Sequence, residues 1–165
     1  MGDEQLSMDL GVEQTAWGKW VDSERRRAQA QKFMDYAGIS EIPSEPWPED
    51  SPEIERLDRI VAELFPDLST AMAPETADMA DAFICFMGEC FAIFTGAQWR
   101  DAPWFGREYS FYDDINPALE YGFADADADT AWGLMKSAIG GGFSRTAALM
   151  RELAARYTED QDERS

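Results

Sequence analysis

The chain has 165 residues, of which thirty-three are Asp or Glu and fourteen Lys or Arg, giving a net charge of −19 and a pI near 4.1. Such a surface repels nucleic-acid phosphates and anionic lipid headgroups, which are bound through clustered Lys and Arg. Histidine is absent, which excludes Ser-His-Asp and Cys-His catalysis, histidine metal ligands and the usual general base near neutral pH.

Residues 1–14 are acidic and small and are expected to form a flexible amino terminus. A helix is predicted from about Thr15 to Ala37, with Trp17, Trp20, Val21, Ala28 and Met34 near one stripe and Gly38 as the C′ residue. Its middle, Glu24-Arg25-Arg26-Arg27, is the basic cluster of the sequence. It suits an anion site or, more simply, pairing with acidic neighbours. Three prolines in residues 39–50 predict an extended linker, with Trp47 pinning it to the body. Ser51-Pro52 then opens a helix that carries Ile54, Leu57, Val61 and Leu64 at helical spacing and stops before Pro66.

A third helix is predicted from Pro74 through Ala82 and Phe86, changing near Gly88 into a strand over Cys90–Phe94. Thr95-Gly96-Ala97-Gln98 reads as a hairpin turn leading to Trp99, and Glu108 to Ile115 as a further strand broken by Asn116-Pro117. The expected sheet region is therefore 88–117. The last third returns to helix over 129–157. One helix starts at Thr130, the glycines 140–142 act as a hinge, and Ser144 caps the final helix. The charged tail 158–165 is expected to be disordered. The fold class is α+β: one helix-rich domain over 15–157 with a small antiparallel sheet of about three strands, and helical segments at 15–65.

The candidate motifs are mostly negative. Cys85 and Cys90 are too few for a disulfide scaffold or a four-cysteine zinc site and read as buried thiols. Asp125, Asp127 and Asp129 resemble the opening of a calcium loop, but Thr130 and Lys136 occupy its Gly and Glu positions. The glycine triplet lacks the residues of a phosphate loop. Asp113 and Asp114 could do acid–base chemistry, yet carboxylates are so abundant here that a pair carries little information. The expectation is a protein that is not an enzyme and takes no metal and no cofactor.

Charge and aromatics carry the functional reading. From Asp67 to Asp129 there are thirteen acidic residues against Arg100 and Arg107, a local net of −11. The same segment holds Trp99, Trp104, Phe105, Tyr109, Phe111, Tyr112 and Tyr121. Aromatics among carboxylates suit an interface with a basic protein, the rings giving buried area and the charges orientation. Pro103 and Gly106 place Trp104 and Phe105 in a loop, so Asp101, Trp104, Phe105, Asp113, Asp114 and Glu120 form the candidate partner-binding set. Trp99 and Phe111 read as core.

Gly88, Glu89, Gly96 and Trp99 are assigned structural roles. A carboxylate inside Cys85–Phe94 is costly to bury unless bonded, and the expected hairpin would let Glu89 accept from the Trp99 indole.

Over about residues 75–125, Phe86-Met87-Gly88-Glu89 followed by Gly96-Ala97-Gln98-Trp99 resembles a pattern in small acidic bacterial proteins of the immunity-protein type. That resemblance implies neutralisation of a toxin. The overall expectation is a cytoplasmic acidic protein-binding module, without an apolar leader or membrane span, that neutralises or escorts a basic protein partner. The alternatives are a nucleic-acid-mimicking inhibitor of a DNA-binding protein, or an Asp/Glu-dependent enzyme.

Overall fold

A computed structural model describes residues 15–105, 110–123 and 128–164. The expected flexible segment 1–14 lies outside them.

The predicted first helix is two. α1 spans Ala16–Val21 and α2 spans Ser23–Ala37. Asp22 separates them with extended backbone, and its side chain accepts the Arg25 N–H at 3.1 Å, capping α2. Thr15 caps α1 in the same way through Gly18. This break resets the helical register, which is why Ala28, placed on the apolar stripe by sequence, is exposed. At the other end Gly38 adopts φ 75° and closes α2 onto the Met34 carbonyl, as expected of a C′ glycine. The linker 39–50 is irregular. Trp47 is buried within it against Phe86, Phe94 and Phe143, and the Arg151 guanidinium donates to its carbonyl at 3.0 Å. α3, Pro52–Leu64, is capped by Ser51 and buries Ile54, Leu57 and Val61, matching its amphipathic pattern.

A short α4, Leu68–Ala71, is capped by Asp67. α5 then runs unbroken from Ala77 to Thr95. The predicted strand at Cys90–Phe94 and its hairpin are therefore wrong, and the helix starts at Ala77 rather than Pro74. A buried apolar run has no polar face to reveal its period, so helix and strand look alike in sequence. α5 buries residues on every side, with α2 and α7 (Phe143–Arg164) among its neighbours. Phe33 of α2 lies 4.9 Å from Phe83 and 5.0 Å from Phe86, while Phe143 closes on the same two rings at 6.2 and 6.3 Å. Gly96, at φ 72°, ends α5 as a left-handed cap rather than turning a hairpin.

The sheet begins only after this cap. β1 is Gln98–Asp101, β2 Pro117–Glu120 and β3 Asp129–Thr130, antiparallel in the order β1-β2-β3. Trp99 stands opposite Leu119 and Asp101 opposite Pro117. The predicted strand over Glu108–Ile115 is not formed: residues 110–116 are a bent loop, and 108–109 lie outside the described residues. Pro117 opens β2 instead of breaking a strand, a position at which proline is tolerated.

α6, Ala131–Gly141, is capped by Thr130 and leads through Gly142, at φ 78°, into α7. Ser144 does not cap α7. The Asp58 carboxylate of α3 accepts the Ser144 N–H at 2.7 Å, so a neighbouring helix supplies that end's acceptor. α7 continues to Arg164, correcting the expected disordered tail. Its last turns are supported by the Asp160–Arg164 ion pair at 3.0 Å and by Arg164 reaching the Gly122 carbonyl. Among the described residues no helix is long and apolar enough to cross a membrane.

Candidate functional site

The site is organised around the connection from β1 to β2. Asp101, the last residue of β1, accepts the Asn116 N–H at 2.8 Å, and the Ala102 N–H donates to the Asn116 carbonyl at 2.8 Å. These two bonds clasp the start of β2 to the end of β1. Within the loop Ser110 Oγ accepts the Tyr112 N–H at 3.2 Å and lies 2.6 Å from the Ile115 carbonyl, which holds residues 110–115 in a tight arch. Asp113 and Asp114 ride at its crest, exposed. A 3₁₀ turn at Pro103–Phe105 follows β1, and Trp104 there is 73% exposed. Of the exposed large hydrophobic side chains among the described residues, Tyr36, Met72, Ile93 and Trp104, it is the most open.

Two of the tentative residues, Asp113 and Asp114, line one cavity, and Trp104 follows a third lining residue, Pro103. That cavity, of about 310 Å³, is lined by Pro103, Ser110, Tyr112, Asp113, Asp114, Ile115 and Asn116. Asp101 serves the clasp rather than the open face. Glu120 is exposed at the far end of β2, opposite Gln98, and ion-pairs Arg100 at 3.4 Å. Three residues of strand separate it from Pro117, roughly 10 Å. Of Phe105 only the backbone is described, and Gly106, Tyr109, Asp125 and Asp127 lie outside the described residues. Asp129 lies in β3, where it accepts the Tyr121 hydroxyl at 2.7 Å.

Beneath the arch lies a polar node that the sequence reading missed. Asp81, on α5, is 7% exposed and collects four donors. Trp20 Nε1 donates to Oδ1 at 2.9 Å and the Tyr112 hydroxyl donates to the same oxygen. The Arg25 guanidinium and Gln29 Nε2, the latter at 2.8 Å, donate to Oδ2. Arg25 also lies over the Trp20 ring, 5.5 Å from its centroid, and donates to the Trp20 carbonyl at 3.1 Å. A charge this deep is tolerated only when paired and bonded, and here both conditions hold. Burial, and then the adjacent Asp81 charge, push the Tyr112 hydroxyl well above its ordinary range, so it stays a donor. Two open clefts border the node: one of about 520 Å³ between α2 and α5, and one of about 380 Å³ that Lys19, Trp20 and Arg25 line together with Asp113, Asp114 and Ile115.

The node answers the basic cluster: Arg25 pairs with Asp81, and Arg26 with Glu89 at 3.5 Å. Glu89 therefore does not receive the Trp99 indole. Trp99, 8% exposed, stacks edge-on against Trp20 at 5.0 Å, and its Nε1 has no hydrogen-bond partner. The Nε1 edge of the indole abuts Gly88, where a Cβ would fall 2.4 Å from Nε1. With α5 helical through this stretch, Glu89 projects from a helix toward α2 rather than from the root of a hairpin. Gly88 receives the Trp99 ring within a continuous helix and Gly96 caps that helix, in place of the expected helix-to-strand change and hairpin turn, and the predicted Glu89–Trp99 bond is not formed.

Cys85 and Cys90 are free and buried. Burial pushes the Cys85 thiol up to about 12. Among the described residues no group of three or more His, Cys, Asp or Glu is placed to hold a metal ion. Scans against family models, curated proteins and solved structures return no match to this chain.

Proposed function

We propose that the chain is an acidic protein-binding module that neutralises or escorts a basic protein, most specifically an immunity-type inhibitor of a toxin. The observation that carries this is the exposed Trp104 next to a cavity rimmed by the exposed carboxylates Asp113 and Asp114, on a chain of net charge −19. An open indole supplies the buried anchor that interface energetics favour, and the carboxylates select a cationic surface. Long-range attraction from the acidic body accelerates the encounter, and occlusion of the partner's basic active site follows from docking. The sequence pattern at Phe86–Glu89 and Gly96–Trp99, which resembles immunity-type proteins, points the same way.

The test is affinity capture from the native host with the immobilised chain, followed by kinetics with the captured protein. A basic partner should bind with an association rate that falls steeply from low to high salt while dissociation changes less. Asp113→Asn/Asp114→Asn should reproduce part of the salt effect, and Trp104→Ala should speed dissociation. Identification of the partner separates a toxin from a nucleic-acid-binding protein whose site is mimicked. An association rate indifferent to salt, or a partner retained equally by Trp104→Ala, refutes the proposal.

A further inference from the structure

β1 lies at the edge of the sheet. In an antiparallel ladder, pairs that exchange hydrogen bonds alternate with pairs that do not, and in the latter N–H and C=O point away from the partner strand. The Ala102 N–H donates to the Asn116 carbonyl at 2.8 Å, so this position is a bonded one. Counting back through the register, Arg100–Ala118 and Gln98–Glu120 exchange bonds, while Asp101–Pro117 and Trp99–Leu119 do not. Proline at 117, which has no N–H to give, suits such a pair. The N–H and C=O of Trp99 and Asp101 therefore face away from β2, on the side where the order β1-β2-β3 leaves no strand. No group among the described residues bonds them. Unpaired backbone is tolerated where water or another strand can reach it.

A short edge that carries a charged side chain can stand open by itself. Here three observations supply an occupant. Residues 6–13 read Leu-Ser-Met-Asp-Leu-Gly-Val-Glu, with an apolar residue at every even position and a polar residue or glycine at every odd one. Strict alternation over eight residues is the pattern of a strand with one face buried, and it holds although the composition of 1–14 suggests a flexible end. These residues lie outside those described. The chain also enters the described structure beside β1. Thr15 caps α1, Trp20 of α1 meets Trp99 with ring centroids 5.0 Å apart, and Ala16 shares a cleft with Ile115, the neighbour of Asn116. From there eight extended residues reach about 26 Å, twice the roughly 13 Å of the four-residue edge.

The faces match as well. Trp99 turns to the core and is 8% exposed, while Gln98 and Arg100 are open to solvent. Residues opposite one another on neighbouring strands share a face. With Leu6, Met8, Leu10 and Val12 on the Trp99 face, Ser7, Asp9 and Glu13 fall on the face of Arg100. The ion pair of Arg100 with Glu120 is long, at 3.4 Å, and the Arg100 side chain is 59% exposed, so a carboxylate on its other side adds a second counter-charge. We propose that the outer edge of β1 is the docking site of residues 6–13 of the same chain, added as a fourth strand with its apolar face on the side of Trp99. The site is internal to the chain and independent of the protein-binding reading above.

The experiment is ¹⁵N NMR of the full chain, reading amide hydrogen exchange and NOEs at β1. Arg100 and Ala102, bonded to β2, report whether the sheet is intact. With residues 6–13 on the edge, the Trp99 and Asp101 amides should be protected as well and should show NOEs to that segment. Met8→Asp/Leu10→Asp puts two carboxylates on the apolar face and should speed exchange at Trp99 and Asp101 by at least about tenfold, with Arg100 and Ala102 unchanged. Ser7→Asp/Gly11→Asp adds the same charge to the opposite face and should leave all four amides as they are. Fast exchange at Trp99 and Asp101 in the unaltered chain, protection that survives Met8→Asp/Leu10→Asp, or equal loss in both variants overturns the inference. Protection that grows with protein concentration, with intermolecular NOEs, gives the edge to a second copy and overturns it too.

Discussion

Replacing Gly88 with alanine tests whether the fold's centre is the contact between α5 and the first strand. In an ordinary helix interior this change is stabilising by about 0.5–1 kcal/mol, because glycine has more backbone freedom to lose. Here the new methyl would sit 2.4 Å from Trp99 Nε1, 2.6 Å from Cζ2 and 2.7 Å from Cε2. All three atoms belong to one rigid ring, so no rotation of a flexible chain end clears the clash. The ring is further confined by the edge of Trp20 at 5.0 Å, and Trp20 is itself tied to Asp81. Overpacking of this kind costs about 1–3 kcal/mol and outweighs the propensity gain, leaving a net loss of about 1–2 kcal/mol.

Chemical denaturation of wild type, Gly88→Ala, Trp99→Leu and the double variant would measure it. Trp99→Leu removes the ring that obstructs the methyl. In that background Gly88→Ala should become neutral or stabilising, so the two changes should be non-additive with a coupling of about 1–3 kcal/mol. A Gly88→Ala protein as stable as wild type would refute the reasoning, since it would mean that Trp99 does not rest on α5.

Other substitutions probe the polar node and the buried thiols. Asp81→Asn should cost about 2–4 kcal/mol in denaturation, below the value for a fully sealed pair because about a third of the Arg25 side chain stays in solvent. It leaves Arg25 without its counter-charge and gives Trp20 and Tyr112 a poorer acceptor; a loss under about 1 kcal/mol would argue that the node is solvated. Glu89→Gln should cost less than about 1 kcal/mol, because its 3.5 Å pair with Arg26 is long and partly exposed, and partner binding should be retained. The Cys85 thiol has a folded pKa raised from 9.0 to about 12, so its stabilising contribution is complete below pH 9 and drains away as pH rises from 9 toward 12. Unfolding free energy should fall in that window with a slope that Cys85→Ala reduces by up to about 1.4 kcal/mol per pH unit. An unchanged slope would show the thiol to be accessible.

What could be read from the sequence depended on whether an element has two unlike faces. α3 is amphipathic, capped by Ser51 and opened by Pro52, and the expectation matched it almost residue for residue. α5 is buried on every side over residues 80–88 and its few carboxylates are paired with the neighbouring helix, so Gly88 looked like a break when it is the seat of an indole. The strands have four, four and two residues, too short for a period of two to show. Trp99 does lie in a strand, but the expected strands at Cys90–Phe94 and Glu108–Ile115 fall in α5 and in a loop, because aromatic and apolar content was the available guide. The exposed turn at Trp104 was legible because Pro103 and Gly106 flank it, whereas residues 110–115, in a bent loop, read as strand from their aromatic content. The role of Asp81 was not legible, since its partners Trp20 and Tyr112 lie sixty-one and thirty-one positions away. One clue was present: Asp81 sits in an apolar stretch as Glu89 does, and the demand for a bonded acceptor applied to it with equal force.

Tyr112 joins the two halves of the molecule's logic. Its hydroxyl is bound to a carboxylate on the central helix, and its neighbours Asp113 and Asp114 are the exposed charges at the cavity rim. Ser110 arches the loop from inside, and the Asp101–Asn116 clasp fixes its exit into β2. A loop anchored at its middle and its end keeps its carboxylates in place, so on the protein-binding proposal little ordering entropy would be lost on binding. The buried ion pair need not raise net stability to have been useful here. Replacing such a pair by apolar residues of similar volume is often neutral or stabilising, but an apolar core could not reach up and hold a polar loop by a single hydroxyl. Asp81 is thus best understood as the foundation of the acidic face, and the absence of histidine from the chain means that no imidazole within it can switch that face across neutral pH.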